Sequence, residues 1–240
     1  MRFRCVFVQM LIFALGVAIA LASLAQLRRS SQDLPWSQLD LTEPFGAFTG
    51  RKLAGLTRDA PRCLSLMALA GIHYTALPPV RAEQCGYDDA VRFIAGGPRT
   101  IAFTPPVGTS CPVAAGLALW EWHVVQPAAL RHFGQHVTSI DHHGSFSCRR
   151  MYGRSSGDWS EHATADAIDI AGFTLERGEH IRVRRDWRGD RRRAAFLRDV
   201  RDGACKLFSS VLSPDYNLAH ADHLHLDQAE RGEKSWRICA

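Results

Sequence analysis

Two short stretches hold most of the residues able to do chemistry. One runs Ser160-Glu161-His162-Ala163-Thr164-Ala165-Asp166-Ala167-Ile168-Asp169 and sets a histidine seven residues before a carboxylate. The other runs His220-Ala221-Asp222-His223-Leu224-His225-Leu226-Asp227. It sets two histidines two residues apart, with an acid directly before the pair and another two residues after it. Imidazole nitrogen and carboxylate oxygen are what a catalytic zinc takes as ligands, and three of them leave a fourth position open for water. The chemistry suggested is that of a metal hydrolase.

The spacing also says what must position these groups. With Asp222 to Asp227 extended, side chains alternate between faces, so His223 and His225 share one face and Leu224 and Leu226 the other. The leucine face can pack on a core while the histidine face lines a site. Ala167-Ile168-Asp169-Ile170 repeats the logic, with Asp169 opposite two isoleucines. An ionised aspartate so placed is costly to bury unless it is paired or metal-bound. Any one of these histidines alone reads more simply as a surface or hydrogen-bonded residue; the joint pattern favours a metal site.

Elsewhere, Arg62 to Ala70 predicts a short helix, and Tyr87 to Phe103 two short strands around Gly96-Gly97-Pro98. Pro112 to Phe133 has helical periodicity that Pro127 should kink or split. Val137 to Phe146 reads as a strand leading into a turn at Gly144-Ser145, and Ala194 to Val211 as a helix weakened by Gly203. Helices and short strands mix without βαβ regularity, so the expected class is α+β, a single domain whose small antiparallel sheet carries the site and is packed by helices.

The chain has 240 residues and a formal net charge of +5, nearly all of the positive charge being arginine. A mildly basic surface suits anionic partners such as wall polymers or lipid headgroups; it does not single out nucleic acid, and none is expected as a partner. From Cys5 to Leu27 there are 23 residues without a charge, enough to span a bilayer as a helix. An uncleaved signal anchor in the cytoplasmic membrane is the preferred reading. A signal peptide cleaved near Ser23 and Ala25, releasing the protein into the periplasm, is the alternative. Arg2 and Arg4 before the run nearly balance Arg28 and Arg29 after it, so charge does not orient it.

Cys63, Cys85, Cys111, Cys148, Cys205 and Cys239 are dispersed, with no CxxC pair. Behind an export segment such cysteines read as disulfides in an oxidising compartment, though the pairing cannot be read from sequence. The domain is therefore expected in the periplasm. The layout expected is a signal segment at 1–27, a linker or loosely packed approach at 28–58 and the domain at 59–240.

Several other features are weaker. His142-His143 beside Asp141 reads as a loop pair rather than a site wall, and His220 as a possible outer partner of the site. The seven arginines between Arg182 and Arg193 read as a solvated loop balanced by Asp186 and Asp190. Trp120 and Trp122 read as core rather than a sugar platform. Glu161 and Asp166 read as solvent-facing or as outer partners of the site.

Ser160-x-His162 followed by Asp169 and a late His-x-His is similar to the zinc D-Ala-D-Ala peptidases and their lysostaphin and hedgehog relatives. More narrowly, the stretch from about Cys111 to Cys239 resembles the bacterial extensin-like C-terminal domain family. The residues that carry this are Gly144 to Arg149, Ser160 to Ala165 with Ala167 to Ile170, Asp186-Trp187, Leu212 to Asn217 and Asp222 to Asp227. The resemblance implies one zinc ion held by His162, Asp169 and His225. It implies a general base at Asp222, or a proton-handling role for His223, which matches the non-ligand histidine of the lysostaphin type. It further implies an oxyanion-stabilising Arg149 and a substrate contact at Ser160. Ala165 stands where the peptidase motif usually has glycine.

The expectation is a membrane-anchored, periplasm-facing zinc peptidase acting on peptidoglycan stem peptides or cross-links. The first rival is a wall-binding or structural module that keeps the zinc fold without turnover. A weaker one is a metal-dependent phosphodiester or amide hydrolase using the same ligands. The presence of Asp222, His223 and Arg149 favours the enzyme.

Overall fold

In the computed structural model, helix α1 (Arg2–Arg29) carries the uncharged run. Its 20-residue segment Val6–Ala25 is long and apolar enough to cross a membrane, and none of it is buried against the rest of the chain. The structure describes residues 2–29, 31–95, 101–230 and 237–240, so the expected turn at Gly96-Gly97-Pro98 lies outside the described residues.

After α1 come helices α2 (Thr49–Ala54) and α3 (Ala60–Leu69), the latter capped by Asp59, whose side chain accepts from the Arg62 amide. Short strands follow: β1 (Tyr74–Ala76), β2 (Val80–Ala82), β3 (Cys85–Tyr87), β4 (Val91–Phe93), β5 (Ala102–Thr104) and β6 (Gly108–Thr109). Residues 31–58 do more than link. Leu39, Leu41, Leu53 and Leu56 are buried in the same apolar cluster as the rest of the domain. No periodicity joins these four leucines, which is why they read as linker.

Helix α4 (Cys111–Trp120) is buried on every side, as suits a helix that is apolar all round. A π turn (Glu121–Val125) separates it from α5 (Gln126–Phe133), and the Gln126 amide reaches back five residues to the Glu121 carbonyl. Pro127 has no amide to give the His123 carbonyl and its ring would press on it; the wider turn relieves both problems.

Strands β7 (Val137–His142), β8 (Ala167–Leu175) and β9 (His180–Arg182) come next, then helices α6 (Val183–Asp186) and α7 (Arg191–Ala204), then strands β10 (Ser210–Leu212), β11 (Leu224–Asp227) and β12 (Ile238–Cys239). The helix expected to reach Val211 stops at Ala204. Leu207 and Phe208 are buried in the turn that follows, Val211 enters β10, and Cys205 is tied to Cys239. Gly203 is no defect, because a Cβ there would meet the Val124 side chain at 2.2 Å. The arginine-rich segment is not a loop but the β9 end, α6 and the start of α7. Asp186 within it is buried and accepts from the Arg182 amide and the Arg185 guanidinium.

The class is mixed α+β, but the sheet is larger than expected and not purely antiparallel. Seven strands pair in the order β12-β10-β11-β8-β7-β5, with β9 also on β8. The β10–β12 and β5–β7 pairs are parallel. A three-stranded sheet (β1-β4-β6) and the β2-β3 pair stand apart from it. Trp120 joins helices to sheet. Its indole donates to the Val200 carbonyl at 2.8 Å, and it packs on Phe173 of β8, which meets Phe196 of α7 edge-on.

Disulfides link Cys63 to Cys111, Cys85 to Cys148 and Cys205 to Cys239. The second pins the chain one residue before Arg149.

Candidate metal centre

Strands β8 and β11 pair antiparallel with His225 directly opposite Asp169, and with Leu224 opposite Ile170 and Leu226 opposite Ile168. The four apolar side chains are fully buried on one face. The period of two then presents His225 and Asp169 together on the other face. The backbone of Asp169 is held from the far side too, its carbonyl accepting from the His143 amide at 2.8 Å and its amide donating to the Gly144 carbonyl at 3.2 Å. Gly144 has a φ of 119°, a region closed to most side chains, so the turn that grips Asp169 calls for glycine.

His162 arrives from a single 3-10 turn (Glu161–Thr164) capped by the Ser160 hydroxyl, which accepts from the His162 amide. The turn ends at Ala165 with φ 60° and ψ 16°. That is the left-handed conformation glycine adopts freely. Here alanine bears a strain of about 1–2 kcal/mol, offset in part by a fully buried methyl group.

The three side chains converge. His162 Nε2 lies 3.2 Å from Asp169 Oδ2 and 3.3 Å from His225 Nδ1, and His225 Nδ1 lies 2.9 Å from Asp169 Oδ1. Donors bound tetrahedrally at zinc distances sit roughly 3.3 Å apart. The other nitrogen of each ring is already committed. His162 Nδ1 is 2.6 Å from the Ser145 carbonyl and His225 Nε2 is 3.2 Å from Asp227 Oδ2. Both partners accept, so those nitrogens can keep their protons while the opposite nitrogens yield theirs to a cation shared with the Asp169 carboxylate. Two imidazole nitrogens and a carboxylate oxygen aimed at one point suit a cation, and outer partners of this kind are how metal-binding histidines are oriented. The residues present therefore fit a zinc ion.

The electrostatics agree. Burial alone would raise the Asp169 pKa, but hydrogen bonds from His162 and His225 outweigh it and hold the carboxyl well below its usual range. Burial alone would lower the His225 pKa, but the Asp169 and Asp227 carboxylates bonded to it raise it to about 9. The Asp169 and Asp227 carboxylates thus favour positive charge beside them.

His223 stands beside this triad, its Nε2 3.4 Å from Asp169 Oδ1 and its Nδ1 2.8 Å from Asp222 Oδ1. That hydrogen bond, with His143 and Arg184 nearby, keeps the Asp222 carboxyl below its usual range. His220 packs its ring on His223 and His225, with centroids 5.2 and 5.9 Å away, and gives its Nδ1 proton to Asn217 Oδ1. Burial and the neighbouring His223 and His225 lower its pKa to about 4, so it is neutral. The loop that carries His220 is held at Asp215, which accepts from the Trp187 indole at 2.9 Å.

All of this opens into a cleft of about 580 Å³ whose walls include Arg149, Tyr152, Trp159 and Tyr216. The model for the extensin-like protein C-terminus matches residues 61–240. The chain belongs to that family. No curated protein and no solved structure matches it.

Of the seven residues named from the sequence, six line this cleft, and Asp222 reaches it only through its bond to His223. His162, Asp169 and His225 supply the converging atoms. His223 and Asp222 stand beside them, Arg149 is exposed on the wall, and Ser160 lines the cleft while capping the His162 turn. Ser145 and Asp227, which accept from His162 and His225, were given no role of their own. Asp227 had a legible signal, being two residues beyond His225 and so on the same strand face. Ser145 acts through its carbonyl, which no side-chain pattern reveals. His143 was read as a loop residue, yet it sits 3.9 Å from Asp222.

Proposed function

We propose that this domain is a zinc peptidase that hydrolyses amide bonds in peptidoglycan stem peptides or their cross-links, outside the cytoplasmic membrane. The observation that carries this reading is the placement of His223 Nε2 beside three converging ligand atoms at the floor of an open cleft. The apolar N-terminal helix and three disulfides support an extracytoplasmic location, with α1 as anchor or signal.

A zinc ion held by His162, Asp169 and His225 would supply Lewis acidity to the attacking water and to the scissile carbonyl. The chain's own groups do the rest. His223 accepts a proton from that water at Nε2 and returns it to the leaving amine. Asp222 holds His223 Nδ1–H, which keeps the accepting lone pair turned inward and stabilises the imidazolium once formed. Arg149, on the cleft wall, supplies positive charge for the oxyanion that develops only in the transition state. Neutral His220 buttresses the His223 and His225 rings without adding a competing charge. Tyr152, Trp159 and Tyr216 offer aromatic walls against which a peptide can lie.

The test is incubation of the zinc-loaded protein with purified peptidoglycan and mass spectrometry of what is released. Fragments cut at peptide bonds support the reading. Intact peptidoglycan, with zinc bound, favours a wall-binding module.

A further inference from the structure

Among the described residues a second set of ligand atoms stands next to the first. His143, Asp222 and His223 each offer one atom, all within 4.8 Å of one another. Asp222 is the bridge, its Oδ1 2.8 Å from His223 Nδ1 and its Oδ2 3.9 Å from His143 Nε2. The two imidazole rings meet edge to face at 5.8 Å. The three come from two segments, the turn after β7 and the approach to β11, and the His143 backbone is fixed by its bond to the Asp169 carbonyl.

Two imidazoles and one carboxylate make a donor set for a borderline ion such as zinc rather than for magnesium or calcium, which take oxygen. The separations of 2.8 and 3.9 Å straddle the roughly 3.3 Å expected around tetrahedral zinc. Small rotations of His143 and Asp222, whose side chains are 50% and 42% exposed, bring them to it. Two features make this site the weaker of the pair. It lies open to water, whereas the His162 side chain of the first site is only 4% exposed. Arg184 also lies near enough to act on the Asp222 carboxylate, so a cation there meets a competing positive charge.

We propose that His143, Asp222 and His223 form a second, low-affinity zinc site, and that filling it shuts the metal centre off. The ion enters between His223 Nδ1 and Asp222 Oδ1, in place of the hydrogen bond that now joins them at 2.8 Å. With Nδ1 bound to the ion, the His223 ring loses the Asp222 bond that orients it toward Asp169. Asp222 is withdrawn from its orienting role by the same ion. The inhibitory half of this proposal rests on the peptidase reading; the binding half does not.

The test uses the full-length protein in detergent, stripped with chelator and titrated with zinc, with bound metal counted by equilibrium dialysis and elemental analysis. Wild type is expected to take two ions per chain, the second requiring roughly 100-fold more free zinc. His143→Ala and the gentler His143→Gln should each keep the first ion and lose the second. On any wall fragment that the one-ion protein cleaves, wild type should fall silent as the second ion binds, while both variants keep working at the same zinc concentration. A single ion in wild type at saturating zinc, or a second ion retained in both variants, would overturn the site. Two ions in wild type with undiminished cleavage would overturn the inhibition. Failure of the one-ion protein to cut any fragment would count against the peptidase reading and leave the metal count to decide the site.

Discussion

His223 Nδ1 lies 2.8 Å from Asp222 Oδ1, while the opposite nitrogen of the same ring lies 3.4 Å from Asp169 Oδ1. The ring therefore stands between a carboxylate that orients it and the atoms that would hold the metal. Asp222 is half-exposed and bonded to His223, and the proposed peptidase reading therefore gives the proton to His223 and the orienting role to Asp222. His223→Ala should lower turnover by about 10²–10⁴-fold with metal retained. Asp222→Asn should lower it by about 10–100-fold, as for an orienting partner. Steady-state kinetics with metal content measured on the same samples separates the two. A larger loss in Asp222→Asn than in His223→Ala would return the base role to Asp222.

The metal triad makes a sharper demand. Alanine at His162, Asp169 or His225 should abolish zinc retention after dialysis. Asp227→Asn leaves all three ligands in place but weakens the acceptor of His225 Nε2, and it should reduce zinc affinity by about 10–100-fold. Competition against a chromogenic chelator reads this directly. Unchanged affinity in Asp227→Asn would mean that His225 does not bind through Nδ1.

Arg149 follows the Cys85–Cys148 disulfide and faces the cleft. Its charge is expected to matter after substrate is bound, so Arg149→Ala should cut kcat by about 100-fold and change KM little. A change confined to KM would make Arg149 a substrate anchor instead.

What could be read ahead of the structure was what repeats locally. His-x-His between leucines and Asp169 between isoleucines fix two strand faces by the period of two alone, and the fold joins them in register. What escaped depended on long-range geometry. His143 comes to Asp222 because β7 shifts register against β8 between Asp141 and His142 and then turns at Gly144. The end of α7 at Ala204 reflects the Cys205–Cys239 bond and the pairing of β10 with β12, neither of which leaves a local trace. The size of the sheet was missed for a similar reason, since its outer strands are two or three residues long and too short to show alternation.

Asp166 offers a test through pH. Burial raises its pKa from 3.8 to about 6. The folded protein thus holds this proton more tightly than the unfolded chain, and stability falls as pH rises from about 4 to about 6. Above that window the full penalty applies, on the order of 3 kcal/mol. Asp166→Asn should therefore stabilise the protein at pH 7 and do nothing below about pH 4. Urea unfolding midpoints of both proteins at the two pH values check it. An equal difference at both would exclude ionisation of Asp166 as the cause.

The central claim is that the cleft hydrolyses wall peptides with the triad and His223 together. The most direct measurement is mass spectrometry of peptidoglycan digested in water labelled with heavy oxygen, with wild type and His223→Ala side by side, each loaded with one zinc. The account predicts new peptide carboxyl ends carrying one heavy oxygen in the wild-type digest and nearly none in the variant. Undigested peptidoglycan in both samples, or equal labelled product from both, would contradict it.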